Sequence, residues 1–133
     1  MDNSILSQLG CEFENGKDDY KAPFVLVFIN YKRQLIAKIR VYTKVDKENY
    51  TINFGVEGKK SIYLSCLFVK DKYRRQGLAR RLIQAVKKKF KNKVIFLHVR
   101  RDNKSFNLFS SEGFTIIDKF DHCGEWDLMR LIN

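Results

Sequence analysis

One proline, seven glycines and no uninterrupted apolar stretch of about 18 residues leave no sign of a low-complexity linker or of a membrane-spanning helix in this 133-residue chain. Cysteine is scarce too. Cys11, Cys66 and Cys123 are odd in number, widely spaced and without a C-x-x-C pair, which argues against a disulfide framework and against a zinc site. They are expected to be free thiols, buried or half-buried. Of the two histidines, neither His98 nor His122 stands at helical spacing from another ligand type, so no metal is expected. His98, inside an apolar run, reads as a hydrogen-bonded core histidine. Met1 to Gly16 has no basic residue ahead of an apolar run and no small-residue cleavage pattern. A soluble, cytoplasmic protein is the resulting expectation.

What the chain does have is apolar mass and positive charge. At 44% hydrophobic and 14% aromatic it can fill one core but not two, so residues 1–133 are expected to form a single domain. The 26 Lys and Arg exceed the 15 Asp and Glu, giving net +11 and a field that favours anionic partners. That field suits a nucleotide cofactor, RNA or an acidic protein surface alike, or simply a solvated basic face. Charge alone does not separate them.

Strand-like and helix-like segments alternate along the chain. Phe24 to Ile29 and Gln34 to Tyr42 are rich in β-branched and aromatic residues and flank the polar Asn30-Tyr31-Lys32-Arg33, the pattern of a β-hairpin. A further strand is expected around Tyr50 to Val56. Ile62 to Val69 is apolar except for Ser65, as suits a strand covered on both faces. From Gly77 to Lys91 the period changes: Leu78, Leu82, Val86 and Phe90 recur every four residues, with Arg80, Arg81, Gln84, Lys87, Lys88 and Lys91 on the other side. After the short link Asn92-Lys93, the strand Val94 to Val99 completes a right-handed βαβ unit with parallel strands. Asp102, Asn103 or Ser105 can cap a short helix that Gly113 ends. Phe114 to Phe120 and Trp126 to Ile132 are expected to pair as a hairpin through Asp121-His122-Cys123-Gly124. Met1 to Ala22 is ambiguous, with at most a short helix near Ile5 to Leu9.

The junction Val69 to Arg80 carries the chemistry. A helix start presents unpaired N–H groups and a partial positive charge that can hold a pyrophosphate. Gly77 and Ala79 let the anion come close, and Arg74, Arg75, Arg80 and Arg81 attract it. A basic helix start with a glycine is also an ordinary turn. Neither GxxxxGK[ST] nor GxGxxG occurs, which removes the main support for a nucleoside triphosphatase or a dinucleotide-binding protein.

These residues resemble a known family. Leu67-Phe68-Val69 followed by Tyr73-Arg74-Arg75-Gln76-Gly77-Leu78-Ala79 is similar to motif A of the GNAT N-acetyltransferases, [RQ]-x-x-G-x-[GA]. Leu97-His98-Val99, Asn103, Leu108-Phe109 and Gly113-Phe114 resemble motif B, while the first 60 residues match poorly, as though the leading part of the fold were shortened. The resemblance implies an α/β (α+β) fold: a mixed, mostly antiparallel sheet with helices on both faces. Its central parallel βαβ unit would splay to receive acetyl-CoA as cosubstrate. It further implies that Leu67, Phe68 and Val69 meet the pantetheine arm, that Arg74, Arg75, Gln76, Gly77, Leu78, Ala79 and Arg80 hold the pyrophosphate, and that Asn103, Phe106 and Phe109 form the second wall.

For direct acetyl transfer to an amine, the Leu67 amide is the expected donor to the thioester carbonyl. The base is open. The carboxylate that many relatives carry on this strand is replaced by Tyr63, Ser65 and Cys66, of which Tyr63 or Ser65 can relay a water, whereas Cys66 reads as an inert buried thiol. Phe109 stands where a tyrosine acid is usual, leaving Ser110 or Ser111 as a substitute or no acid at all. Two other functions remain at this stage: a basic RNA-binding module using Lys87-Lys88-Lys89, and a catalytically weak acetyl-CoA sensor. An anionic acceptor is preferred, whether an RNA-linked amine, an acidic protein segment or a phosphorylated small molecule.

Overall fold

Two residues turn the β2–β3 hairpin of the computed structural model, which describes residues 6, 8–44, 54–121 and 124–133. Lys32 (φ 51°) and Arg33 (φ 64°) both take the left-handed conformation that joins β2 (Pro23–Tyr31) to β3 (Gln34–Tyr42) with the twist antiparallel strands need. Ahead of them β1 (Glu12–Lys17) is an edge strand that the sequence concealed, because all but one of its residues are exposed. Asp18 makes its return to β2 tight: one carboxylate oxygen accepts from the Tyr20 and Ala22 amides at 2.9 Å, and the other from the Tyr42 hydroxyl at 3.1 Å.

Beyond the hairpin come β4 (Lys60–Val69), helix α1 (Leu78–Lys89), β5 (Lys93–Arg100), helix α2 (Ser105–Ser111), β6 (Thr115–Asp121) and β7 (Glu125–Ile132). One sheet holds all seven strands in the order β1-β2-β3-β4-β5-β7-β6, antiparallel at every step except β4 with β5. The strand expected over Tyr50 to Val56 is corrected in its described part. Phe54 is helical and the chain then turns at Gly58 (φ 82°), with the Lys59 amide bonded to Val56. Both edges of β4 are already taken by β3 and β5, so the middle of the sheet has no place for another strand. Residues 50–53 lie outside the described residues, as do Ile5, His122 and Cys123; Leu6 and Gln8 are helical, and β6 and β7 do pair as a hairpin.

The helices follow from their stripes. Leu78, Leu82, Ile83 and Val86 of α1 are at most 2% exposed and pack on Val27, Ile29, Ile39 and Val41. Each such side chain contributes about 1.5–3 kcal/mol of transfer free energy. Lys87, Lys88 and Lys89 occupy the last turn, where the helix dipole favours cations. Past that turn the Asn133 amide donates to the Lys87 and Phe90 carbonyls at 2.8 and 3.0 Å, satisfying acceptors that the helix end leaves over. Phe109 of α2 joins the same core, so both helices cover one face. On the other face Phe54 and Val56 pack against Val94, Phe96 and Leu128.

Candidate active site

β4 and β5 are laddered only from Lys60 with Lys93 to Tyr63 with Phe96. Their C-terminal halves, 64–69 and 97–100, part company. A bulge in β4 makes the divergence possible: Arg40 pairs with Ser65 and Lys38 with Phe68, so that Cys66 and Leu67 together face the single residue Ile39. Cys66 takes φ 59°, a left-handed conformation rare for a side-chain-bearing residue. The bulge interrupts the ladder where the backbone of Leu67 borders the opening.

Two contiguous cavities fill the gap. The inner one, about 270 Å³, is lined by Ser65, Cys66, Leu67, His98, Arg100, Asn103, Phe109 and Trp126, among others. The outer one, about 600 Å³, runs along Leu67, Phe68 and Val69 to Arg74, Arg75, Gly77, Leu78, Ala79 and Arg80, with Asn103, Lys104, Ser105 and Leu108 opposite. Leu67, Asn103 and Ser105 border both, which makes them one channel from the helix tip to the middle of the sheet.

At the outer end a short 3₁₀ turn (Asp71–Tyr73) buries Tyr73, and Arg75 (φ 63°) and Gly77 (φ 77°) then wind left-handed into α1. A side chain added at Gly77 would meet no atom within 4 Å but would project into the space before the helix start, in a conformation that L-residues resist. Arg81 makes the first intrahelical bond, to Gly77, so the amides of Leu78, Ala79 and Arg80 have no partner one turn back. Open amides, an Arg-lined rim and a helix dipole are the donor set a pyrophosphate requires. The acetyl-CoA phosphates therefore fit the residues present.

The second wall is anchored from below. Arg101 donates from Nε to the buried Asp127 at 2.9 Å and pairs with Glu125 at 3.2 Å, so that Asp127 holds the guanidinium charge firmly. That fixes the loop carrying Asn103, whose Oδ1 accepts from the Ser105 amide at 2.8 Å and starts α2. Across the channel Glu112, with its side chain 11% exposed, ties the helices together. Its carboxylate takes Arg80 at 3.1 Å and its carbonyl takes the Lys87 ammonium at 2.9 Å.

At the inner end, the histidine read from sequence as a hydrogen-bonded core residue is hydrogen-bonded but also reaches the cavity. His98 is half-buried, borders the inner cavity, and its Nδ1 lies 2.7 Å from the Tyr63 hydroxyl. Burial pushes the imidazole below the usual histidine range, so it is neutral near pH 7. Alternation along β5 would have shown that His98 shares the face of Val94 and Phe96; its partner, 35 residues earlier, was not readable. Tyr63 therefore reaches the channel through His98. Ser65 lines the cavity and sits 3.3 Å from the Cys66 sulfur. Cys66, expected to be a buried thiol, is exposed at the bulge. By contrast Cys11 is half-buried, and burial raises its thiol pKa. Gln76, Phe106 and Ser110 border neither cavity, and Ser110 is exposed on α2. Among the described residues no His, Cys, Asp or Glu cluster could hold a metal ion, and no helix is long and apolar enough to cross a membrane.

A family model described as an acetyltransferase (GNAT) domain matches residues 26–121. No curated protein matches the chain in sequence. Solved structures share the fold. NAA60 of Arabidopsis thaliana, in complex with a bisubstrate analogue, aligns with TM-score 0.69 at 19% identity over 83% of this chain and 76% of that one. The N-acetyltransferase YlbP of Bacillus subtilis, in complex with coenzyme A, aligns with TM-score 0.64 at 20% identity over 85% and 70%. The PaiA N-acetyltransferase of Thermoplasma acidophilum, also with coenzyme A, gives 0.62 at 17% over 81% and 60%. The channel and the matched span agree, and the chain belongs to the GNAT acetyltransferases, with acetyl-CoA as cosubstrate.

Proposed function

We propose that this chain is a single-domain, cytoplasmic N-acetyltransferase that passes the acetyl group of acetyl-CoA directly to an amine, with His98 as general base. The observation that carries this is the neutral, half-buried His98 fastened to Tyr63 in the cavity that continues the coenzyme channel. When bound, acetyl-CoA supplies an activated thioester. Everything else falls to the protein.

With Nδ1–H donating to the Tyr63 oxygen, Nε2 keeps a lone pair for the proton that the acceptor amine must lose as its nitrogen bonds to the acetyl carbon. Tyr63 is then a positioning residue, selecting the tautomer, and Ser65 can hold a water between amine and imidazole. The Leu67 amide, at the interrupted ladder, donates to the oxygen on which charge develops. Amides of Leu78, Ala79 and Arg80, with Arg74 and Arg75 beside them, hold the phosphates, while backbone groups of Leu67 and Val69 pair with the pantetheine amides. Asn103 and Phe109 close the opposite side. Ser110 is too far out on α2 for this scheme, and the thiolate leaves without a protein acid. Coenzyme thiols are acidic enough for that near neutral pH.

Arg100 borders the inner cavity 5.8 Å from the Trp126 ring, and its pair with Asp102 at 3.4 Å is exposed enough for an acceptor anion to compete for the guanidinium. It favours amines that carry an anionic group: an acidic peptide, an RNA-linked amine or a phosphorylated small molecule. The test is a thermal shift with acetyl-CoA followed by thiol release against that panel. Stabilisation by acetyl-CoA with thiol release on one acceptor class is expected. Stabilisation without release on any amine would make the chain a sensor. Gly77→Glu should remove the acetyl-CoA shift while leaving a cooperative melt.

A further inference from the structure

The positive charge of this chain is concentrated. Lys72 to Arg101 contains twelve Lys and Arg and no Asp or Glu, whereas the other fourteen basic residues are offset by fifteen acidic ones. Part of that excess serves the coenzyme end of α1, and part is tied down internally: Arg81 donates to the Leu6 carbonyl and Lys87 to the Glu112 carbonyl. Lys88, Lys89 and Lys91 are left at the opposite end. At 1.5 Å per residue, Lys88 lies about 15 Å along the helix axis from the phosphate-binding turn, out of reach of the pyrophosphate. All three are exposed, and among the described residues neither Lys88 nor Lys91 has an ion pair. The helix dipole explains cations in the last turn but not the lack of any acidic residue one turn away to pair with them.

We propose that this end of α1 binds the backbone of single-stranded RNA, at a surface separate from the acetyl-CoA channel. An aromatic ring lies beside one of these cations. Phe13 of β1 is 43% exposed, and the Lys89 ammonium stands 4.6 Å from its ring centroid. A flat ring next to lysines is the arrangement that stacks a base while its phosphate is neutralised. A membrane surface is a poorer fit, because it needs apolar side chains on the outward face of the helix, and those of α1 are all consumed by the core. An acidic protein is a poorer fit too, since the outward residues Gln84, Lys88 and Lys91 offer no desolvated centre for an interface.

The probe is a fluorescein-labelled 12-nucleotide oligouridylate, followed by anisotropy on the full chain with and without saturating coenzyme A. Binding is expected to persist with the coenzyme present. Lys88→Gln with Lys91→Gln should weaken it about tenfold and reduce the slope of log K against log salt by about 1.4, while the thermal shift with acetyl-CoA stays as in the wild type. Phe13→Ala should weaken it with the slope unchanged. Displacement of the RNA by coenzyme A, equal affinity in the double variant, or binding to phosphatidylserine vesicles without binding to RNA would each overturn the proposal.

Discussion

β4 and β5 run together for half their length and apart for the other half. In the paired half, Ile62 and Ile95 are almost wholly buried and the ladder is complete. In the parted half the ladder stops, a residue is forced into a left-handed conformation, and a neutral histidine, an arginine and free backbone amides border a channel. The same two strands thus supply rigidity at one end and chemistry at the other. What separates them is a single extra residue in β4.

The comparison is broken most severely by removing the proposed base from the open half. His98→Gln should lower kcat about 10²–10⁴-fold with acetyl-CoA binding retained, measured by thiol release and thermal shift. In the paired half Ile95→Ala should instead cost about 2–5 kcal/mol of stability, read by urea unfolding, with kcat per folded molecule held. Tyr63→Phe sits at the boundary and should lower kcat about tenfold, the worth of one orienting hydrogen bond.

A titration sharpens the assignment. Because burial lowers the folded pKa of His98 below its ordinary 6.5, kcat/KM should fall on the acid side below that value, and His98→Gln should flatten that limb. Stability follows the same sign: the unfolded chain takes up the proton first, so the contribution of His98 is complete above pH 6.5 and is lost as pH falls toward the folded pKa. The smallest effect is expected far from the channel. Lys32→Asn with Arg33→Gly relieves two side-chain-bearing residues of the left-handed conformation and should raise stability by about 1 kcal/mol without changing kcat.

Most of the fold was legible because its strongest signals are periodic. The four-residue repeat of Leu78, Leu82 and Val86 gave α1, and the apolar runs on either side gave the parallel pair. The outer cavity runs along most of the residues that the motif singled out between Leu67 and Arg80, because they are nearly consecutive in the chain. What escaped notice depends on neighbours distant in sequence. β1 shows no alternation because it lies at the sheet edge, and Phe54 is helical in a stretch whose composition suits a strand. The bulge at Cys66 is visible only once β3 is laid beside β4. The role proposed for His98 depends on Tyr63, and no pattern within the apolar run of β5 announces that partner.

The clasp at Glu112 bears on how the channel can change width. One residue just past α2 grips the first turn of α1 through Arg80 and the last through Lys87, tying the C-terminal end of α2 to both ends of α1. They would move as one lever. Any narrowing around a bound coenzyme has to come from the diverging strand ends and the Arg74–Gly77 turn, and cutting the clasp would give the lever a hinge it does not now possess.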